Sequence, residues 1–202
     1  MKTKFVLLFV ALSALVIPAS AVSFSLSADG CTGGCGPGPF GTVDLLQVNS
    51  TTVNVSVTLF SNFQFPSTGG PHHAFSFNVS GGAAIVSSVL TSDFVYTPGG
   101  GSQSPFGAFG YIIDCTGCGN GGSNPKAGPI TFTVTRAGGL LVSDFVTNAD
   151  GYRFASDVIN LTTRTTGNVG TPGGAIPEPA TLGLVLTSLS GLWLLKRRKQ
   201  IA

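Results

Sequence analysis

Charge is scarce in this chain. Asp, Glu, Lys and Arg supply 9% of its 202 residues, and Glu178 is the single glutamate among the eight acids. Six of the ten cations, Lys2, Lys4, Lys196, Arg197, Arg198 and Lys199, lie at the two ends. Between residues 22 and 176 four cations are left against seven aspartates, net −3. A body without a basic patch excludes nucleic acid as a partner. Histidine is nearly missing: His72 and His73 are the only two, and they are adjacent. On a strand they would point to opposite faces, so they do not chelate one metal as an i, i+4 helical pair does. Beside Pro71 they read as loop residues. Neither Gly-x-Ser-x-Gly nor His-Glu-x-x-His occurs. The Gly-rich stretch 117–122 lacks the lysine-serine pair and the following helix of a phosphate cradle. Asp93, Asp114, Asp144, Asp150 and Asp157 are available as carboxylates for glycoside hydrolysis, but nothing in their spacing marks a pair. Asn148, Asp150 and Asp157 carry oxygens suited to calcium, yet the Asp-x-Asp-x-Asp-Gly pattern is missing, and Asp150-Gly151 reads better as a turn. The expectation is a chain with no catalytic centre, no cofactor and no metal.

Long apolar runs are also few, and they sit at the ends. From Ala180 to Leu195 there are 16 residues without a charge, flanked by Pro177-Glu178-Pro179 and by Lys196-Arg197-Arg198-Lys199. The prolines fix their own φ and push the preceding residues toward extended geometry, so a helix begins at or after Pro179. Sixteen residues rise about 24 Å as a helix, short of the roughly 30 Å hydrocarbon core. Snorkelling of Lys196 and Arg197 and slight bilayer thinning make up the difference. The four cations hold their side cytoplasmic and leave the body of the chain outside. Gly183, Thr187 and Gly191 form a small-residue stripe on one face, which is also ordinary composition for a membrane helix.

These three parts, in this order, resemble the PEP-CTERM sorting signal of exported bacterial proteins. The resemblance covers about the last 25 residues of the chain. It implies processing by an exosortase, a membrane transpeptidase recognising the Pro177-Glu178-Pro179 region, and delivery to the cell surface or an extracellular polysaccharide matrix. The N-terminus agrees. Lys2 and Lys4 form a positive n-region, residues 5–17 an apolar h-region, and Ala19-Ser20-Ala21 the small-x-small site of signal peptidase, so the mature chain starts at Val22. The expected partners are thus signal peptidase and an exosortase-type membrane peptidase, with extracellular polysaccharide at the destination and the membrane before processing.

Between these ends the hydrophobic period is two. Val53, Val55, Val57 and Leu59 alternate with Thr52, Asn54, Ser56 and Thr58, and Ile130, Phe132 and Val134 alternate with Thr131, Thr133 and Thr135. Val22-Phe24-Leu26 and Phe75-Phe77-Val79 repeat the scheme, and 109–113 is a continuous apolar run suited to a central strand. Further strands are expected near 43–48, 85–90, 94–96, 140–145 and 158–162. Turn residues separate them, among them Asp29-Gly30, Gly69-Gly70-Pro71 and Pro98-Gly99-Gly100-Gly101. No internal repeat and no helical period is evident. The expected fold is all-β, an antiparallel β-sandwich over 22–164 flanked by the signal peptide 1–21 and the sorting signal 176–199, whose transmembrane helix covers 180–195. Of the 15 phenylalanines, 13 lie within residues 22–176, enough for an aromatic core between two sheets. Residues 165–175, rich in glycine and proline, read as a flexible linker that holds the sorting motif clear of the domain.

Four cysteines come as Cys31-x-x-x-Cys35 and Cys115-x-x-Cys118. In an exported chain they make two disulfides, with three possible connectivities. A redox role for Cys115-x-x-Cys118 lacks the βαβ context, and export disfavours a four-thiol zinc site. Sequons occur at Asn49, Asn54, Asn78 and Asn160. Outward-facing Thr, Ser and Asn suit hydrogen bonding to hydrated polysaccharide, and equally an ordinary soluble surface. The function expected is therefore non-catalytic, structural or adhesive. A carbohydrate-binding module is the alternative, marked by exposed aromatic platforms near Tyr96, Tyr111 or Tyr152. A polysaccharide-acting enzyme comes third, marked by two carboxylates converging in a cleft.

Overall fold

The computed structural model describes residues 21–87 and 92–174. Ala19, Pro177, Glu178, Pro179, the apolar run 180–195 and Lys196 to Lys199 lie outside them. Among the described residues no helix is long and apolar enough to cross a membrane. The chain forms β1 (Ala21–Leu26), β2 (Ala28–Asp29), β3 (Gly41–Asn49), β4 (Thr52–Leu59), β5 (Phe63–Gln64), β6 (Phe75–Val79), β7 (Ile85–Ser87) and β8 (Phe94–Thr97). It continues through β9 (Gly101–Ser102), β10 (Ala108–Phe109), β11 (Tyr111–Cys115), β12 (Ile130–Thr135), β13 (Phe145–Val146), β14 (Tyr152–Asn160) and β15 (Thr166–Pro172).

These strands build an all-β domain from antiparallel sheets, as the alternation predicts. A five-stranded sheet has the order β1-β3-β4-β12-β7, and an eight-stranded one runs β2-β15-β14-β6-β11-β8 with β13 beside β6 and β5 beside β14. The separate β9–β10 ribbon is a hairpin. In the five-stranded sheet the register puts like against like. Val53, Val55 and Val57 face Val134, Phe132 and Ile130, while Thr52, Asn54 and Ser56 face Thr135, Thr133 and Thr131. A slip by one residue would turn every apolar side chain to solvent, so burial fixes this register.

The apolar faces of the two sheets meet in one core. Phe24 on the five-stranded sheet touches Phe154 edge-on at 5.3 Å, and Phe132 packs on Phe75 and Phe77 at 6.0 and 5.4 Å. Phe40, Phe65, Phe75, Phe77, Phe145 and Phe154 are all fully buried. Each such side chain contributes about 1.5–3 kcal/mol by leaving water.

Three expectations are corrected. Residues 165–175 do not form a free linker: Thr166–Pro172 is β15, paired along β14 from Ile159 to Tyr152. Its glycines mark close approach rather than slackness. A Cβ at Gly167 would lie 2.8 Å from the Cα of Cys31, and one at Gly170 would press on the Phe106 ring at 3.2 Å. The β-domain therefore extends past residue 164. The stretch 140–145 is mostly a 3-10 turn, Val142–Asp144, because the Asp144 carboxylate accepts the Leu141 amide and pairs with Arg136, bending the chain before β13. Finally, the strand expected at 158–162 is the end of β14. It stops at Asn160, whose Oδ1 accepts the amides of Thr162 and Thr163.

Candidate functional site

Two regions concentrate polar chemistry, one on the outer side of each sheet. The first is built around the only two histidines. His72 and His73 lie outside any strand, immediately before β6, whose neighbours are β14 and β11. Each neighbour supplies an aspartate. His73 Nδ1 lies 2.7 Å from Asp114 Oδ1, whose other oxygen accepts the Thr97 hydroxyl at 2.5 Å. His72 Nδ1 lies 3.5 Å from Asp157 Oδ1, whose other oxygen accepts the Thr68 hydroxyl, again at 2.5 Å. The adjacent rings are thus drawn apart to two strands, each into a Thr–Asp–His chain.

The two chains differ in burial and in how well they are satisfied. The Asp114 side chain is 33% exposed, whereas that of Asp157 is 1% exposed on a strand buried from Arg153 to Asn160. Neither His72 Nδ1 nor Asp157 Oδ1 has a hydrogen-bond partner closer than the other. Asp157, as acceptor first and as a charge besides, raises His72 above the ordinary histidine value, with burial opposing and Asn168 assisting. A buried carboxylate without a counter-charge is costly, so this proton matters more to Asp157 than a surface pair would.

Gln103 and Asn168, both fully buried, tie this cluster to the β9–β10 hairpin. Gln103 Oε1 accepts the His73 amide and the Ser76 hydroxyl, while its Nε2 donates to the His73 carbonyl and to Asn168 Oδ1. Asn168 Nδ2 donates to the carbonyls of Ser104 and Pro71. The His73 ring lies flush against the hairpin, for a Cβ at Gly101 would be 2.3 Å from its Nε2. Phe106 and Phe109 of the hairpin pack with Ala155 in a small apolar cluster apart from the main core, with Tyr152 at its side.

The second region is the bare outer face of the five-stranded sheet. Asp44, Asn54, Ser56, Thr131 and Thr133 border an open trough of about 390 Å³ over β3, β4 and β12, whose surface is mostly apolar and to which Leu46, Val55 and Phe132 also contribute. Thr133 donates to Asn54 Oδ1 at 3.0 Å, leaving the Asn54 amide nitrogen facing outward without a partner in this row. The register continues the polar row across strands, Ser23 beside Asp44 and Asp44 beside Ser56.

The cysteines pair locally, Cys31 with Cys35 and Cys115 with Cys118. Asp29 caps the first loop, its two oxygens accepting the amides of Cys31 and Cys35 at 2.9 Å each. Asp29, Cys31 and Cys35 are close enough to suggest a metal site, but sulfurs joined in a disulfide offer no thiolate. Ala21 is the first residue of β1, so a mature chain beginning at Val22 keeps Val22, Phe24 and Leu26 in the core. Tyr96, Tyr111 and Tyr152 are half-buried rather than exposed platforms. Tyr111 stacks on Phe77 at 5.0 Å with its hydroxyl on the Ala84 amide, Tyr96 lies over Tyr111, and Tyr152 meets Phe106 at 4.6 Å. Asn148 spends its side chain on the 148–152 turn and on the Phe106 carbonyl, away from Asp157. Asn160, one of the four sequon asparagines, is buried and donates to the Cys35 carbonyl.

The histidine–aspartate cluster was not visible in residue spacing, since its members come from five separate segments. One signal was present: an aspartate inside Phe154-Ala155-Ser156-Asp157-Val158-Ile159, a run apolar enough to be buried, requires a partner. No protein-family model matches the chain, and no curated protein and no solved structure matches it.

Proposed function

We propose that this chain is an exported, non-catalytic β-sandwich protein, sorted through Pro177-Glu178-Pro179 by an exosortase-type membrane peptidase to the cell surface or a polysaccharide matrix, where it has a structural or adhesive role. The observation that carries the reading is the tripartite tail itself. Two local disulfides support it, because they suit an oxidising exterior, and a weakly charged, hydroxyl-rich surface is compatible with it. Intact mass of the protein recovered from its native host tests it. A species that begins at Val22, ends near Pro177 and is lighter by four hydrogens than its reduced form is expected. A full-length tail on protein found only in membranes would reduce Pro177-Glu178-Pro179 to part of a plain anchor.

A second reading is favoured by one feature, the trough on the five-stranded sheet. Its mostly apolar surface, bordered by hydroxyl and amide side chains and a single carboxylate, Asp44, suits the apolar faces and hydroxyl edges of a neutral polysaccharide better than an ionic ligand. In this reading the domain is a carbohydrate-binding module that grips the matrix by hydrogen bonds at the border of an apolar trough rather than by stacking on exposed aromatic rings. Retardation of the protein in native gels cast with neutral polysaccharide is the check. An enzyme draws less support, since Asp114 and Asp157 each face a histidine instead of sharing an open cleft.

A further inference from the structure

We propose that the hairpin spanning residues 98–110 is a proton-held flap: with His72 charged it stays closed, its Phe106 and Phe109 seated against Ala155 of β14, and loss of that proton releases it. Three features of the geometry lead there. Asp157 is buried, with Oδ1 facing only His72, so a neutral ring leaves a buried anion without its counter-charge. Asn168 bonds the Pro71 carbonyl next to His72 and at the same time holds Gln103 and the Ser104 carbonyl of the hairpin. The Ser104 amide also donates to the Pro71 carbonyl, one residue before His72. A shift of the 71–73 segment that lets water reach Asp157 therefore pulls on the hairpin directly.

Among the described residues Asp157 on β14 is the only charged group in ion-pair contact with His72, and the adjacent His73 pairs with Asp114 on the β11 side. The sign follows from linkage. His72 sits above its ordinary value in the closed state. The stabilisation is therefore complete below the ordinary histidine range of about 6.5 and is lost as pH rises through the closed-state value. The contact between the flap and the sheet is apolar and separate from the main core, so opening exposes Phe106, Phe109 and Ala155 without unfolding the sheets.

Hydrogen exchange on the full chain in detergent, corrected for intrinsic exchange rates, tests this at the amides of His73 and Ser104, whose bonds to Gln103 Oε1 and to the Pro71 carbonyl join the hairpin to the 71–73 segment. Their protection should fall by up to about tenfold per pH unit within the titration interval of His72. Amides of β3 and β4 should stay unchanged over the same range. His72→Gln should give low hairpin protection at every pH, with the main core intact. Should that variant fail to fold, NMR titration of the wild-type imidazole replaces it, with His72 and the hairpin amides expected to share one midpoint. Hairpin protection that does not vary with pH, unchanged pH dependence in His72→Gln, different midpoints, or a loss shared equally by β3 and β4 would each overturn the flap.

Discussion

The two outer faces of this domain are made from the same alternation and end up opposite in character. On the five-stranded sheet Asn54 is exposed and Thr42, Ser56, Thr131 and Thr133 are half-buried, all still in contact with solvent. On the eight-stranded sheet Ser76, Asp157 and Asn168 also stand outside the aromatic core, yet a hairpin folds back over that side and all three are buried. Polarity at alternate positions therefore says which side faces away from the core, but not whether that side meets water. The bare face can be altered with little effect on stability. The covered one holds a hydrogen-bonded network whose members depend on each other. Both disulfides belong to the eight-stranded sheet, Cys115 on β11 and Cys31 just after β2, and touch the main core, while the five-stranded sheet has none.

The inner residues set the scale against which the faces differ. Phe75 stacks on Phe77 and Phe154 and reaches across to Phe132. Phe75→Ala should cost about 3–5 kcal/mol, read as a lower urea midpoint at unchanged slope. A smaller loss would mean that the sheets are less tightly packed than their ring distances imply. Next comes the covalent asymmetry. Each disulfide closes a loop of only a few residues, worth about 2 kcal/mol in the chain-entropy model. Cys115→Ser with Cys118→Ser should therefore lower the urea midpoint while peptide mapping still finds Cys31 joined to Cys35. Recovery of a Cys31–Cys115 peptide from the wild type would overturn the local pairing.

Asp157→Asn probes the covered network. It removes the charge that holds His72, and His72 reaches solvent in part, so the cost belongs in the lower half of the range for an unsatisfied buried group, about 1–2 kcal/mol. The loss should be largest below about pH 6.5, where wild-type His72 is charged, and should shrink as pH rises through its raised value. Denaturation midpoints of wild type and variant at pH 5.5 and 8.5 check this. A difference that is the same at both would leave His72 with no part in the stability of the face.

Much of the fold was legible because burial on one side repeats at period two. β3, β4, β6 and β12 lie where Val, Leu, Ile and Phe alternate with Thr, Ser and Asn. What escaped is where glycine and carboxylate act through contacts distant in sequence. Thr166–Pro172 looked like a linker because Gly167 and Gly170 lower strand propensity, and the reason for them, Cys31 and Phe106 pressing on the strand, lies far away along the chain. The cysteine spacing left three connectivities open, and only the folded loops select the local pair. The histidine–aspartate cluster needs residues from Thr68 to Asn168 to converge, which no local pattern encodes. For the tail the reverse holds: its reading rests on the sequence motif alone, and the geometry of the body neither adds to it nor takes from it.

The bare face supplies the smallest effect on stability and, under the carbohydrate-binding reading, the clearest effect on function. Asn54→Ala with Thr133→Ala removes the hydrogen bond across β4 and β12 and the amide nitrogen that faces the trough. Both residues sit on the solvent side of a well-paired register, so the change in unfolding free energy should stay within about 0.5 kcal/mol. If a neutral polysaccharide lies along this row, the same double variant should lose its retardation in a polysaccharide gel, whereas Asp157→Asn should keep it. That contrast separates recognition from folding, because the stable variant fails to bind and the destabilised one binds. Equal retardation of all three proteins would leave the trough as nothing more than a soluble surface. Loss in Asp157→Asn alone would move the binding face to the other sheet, under the hairpin.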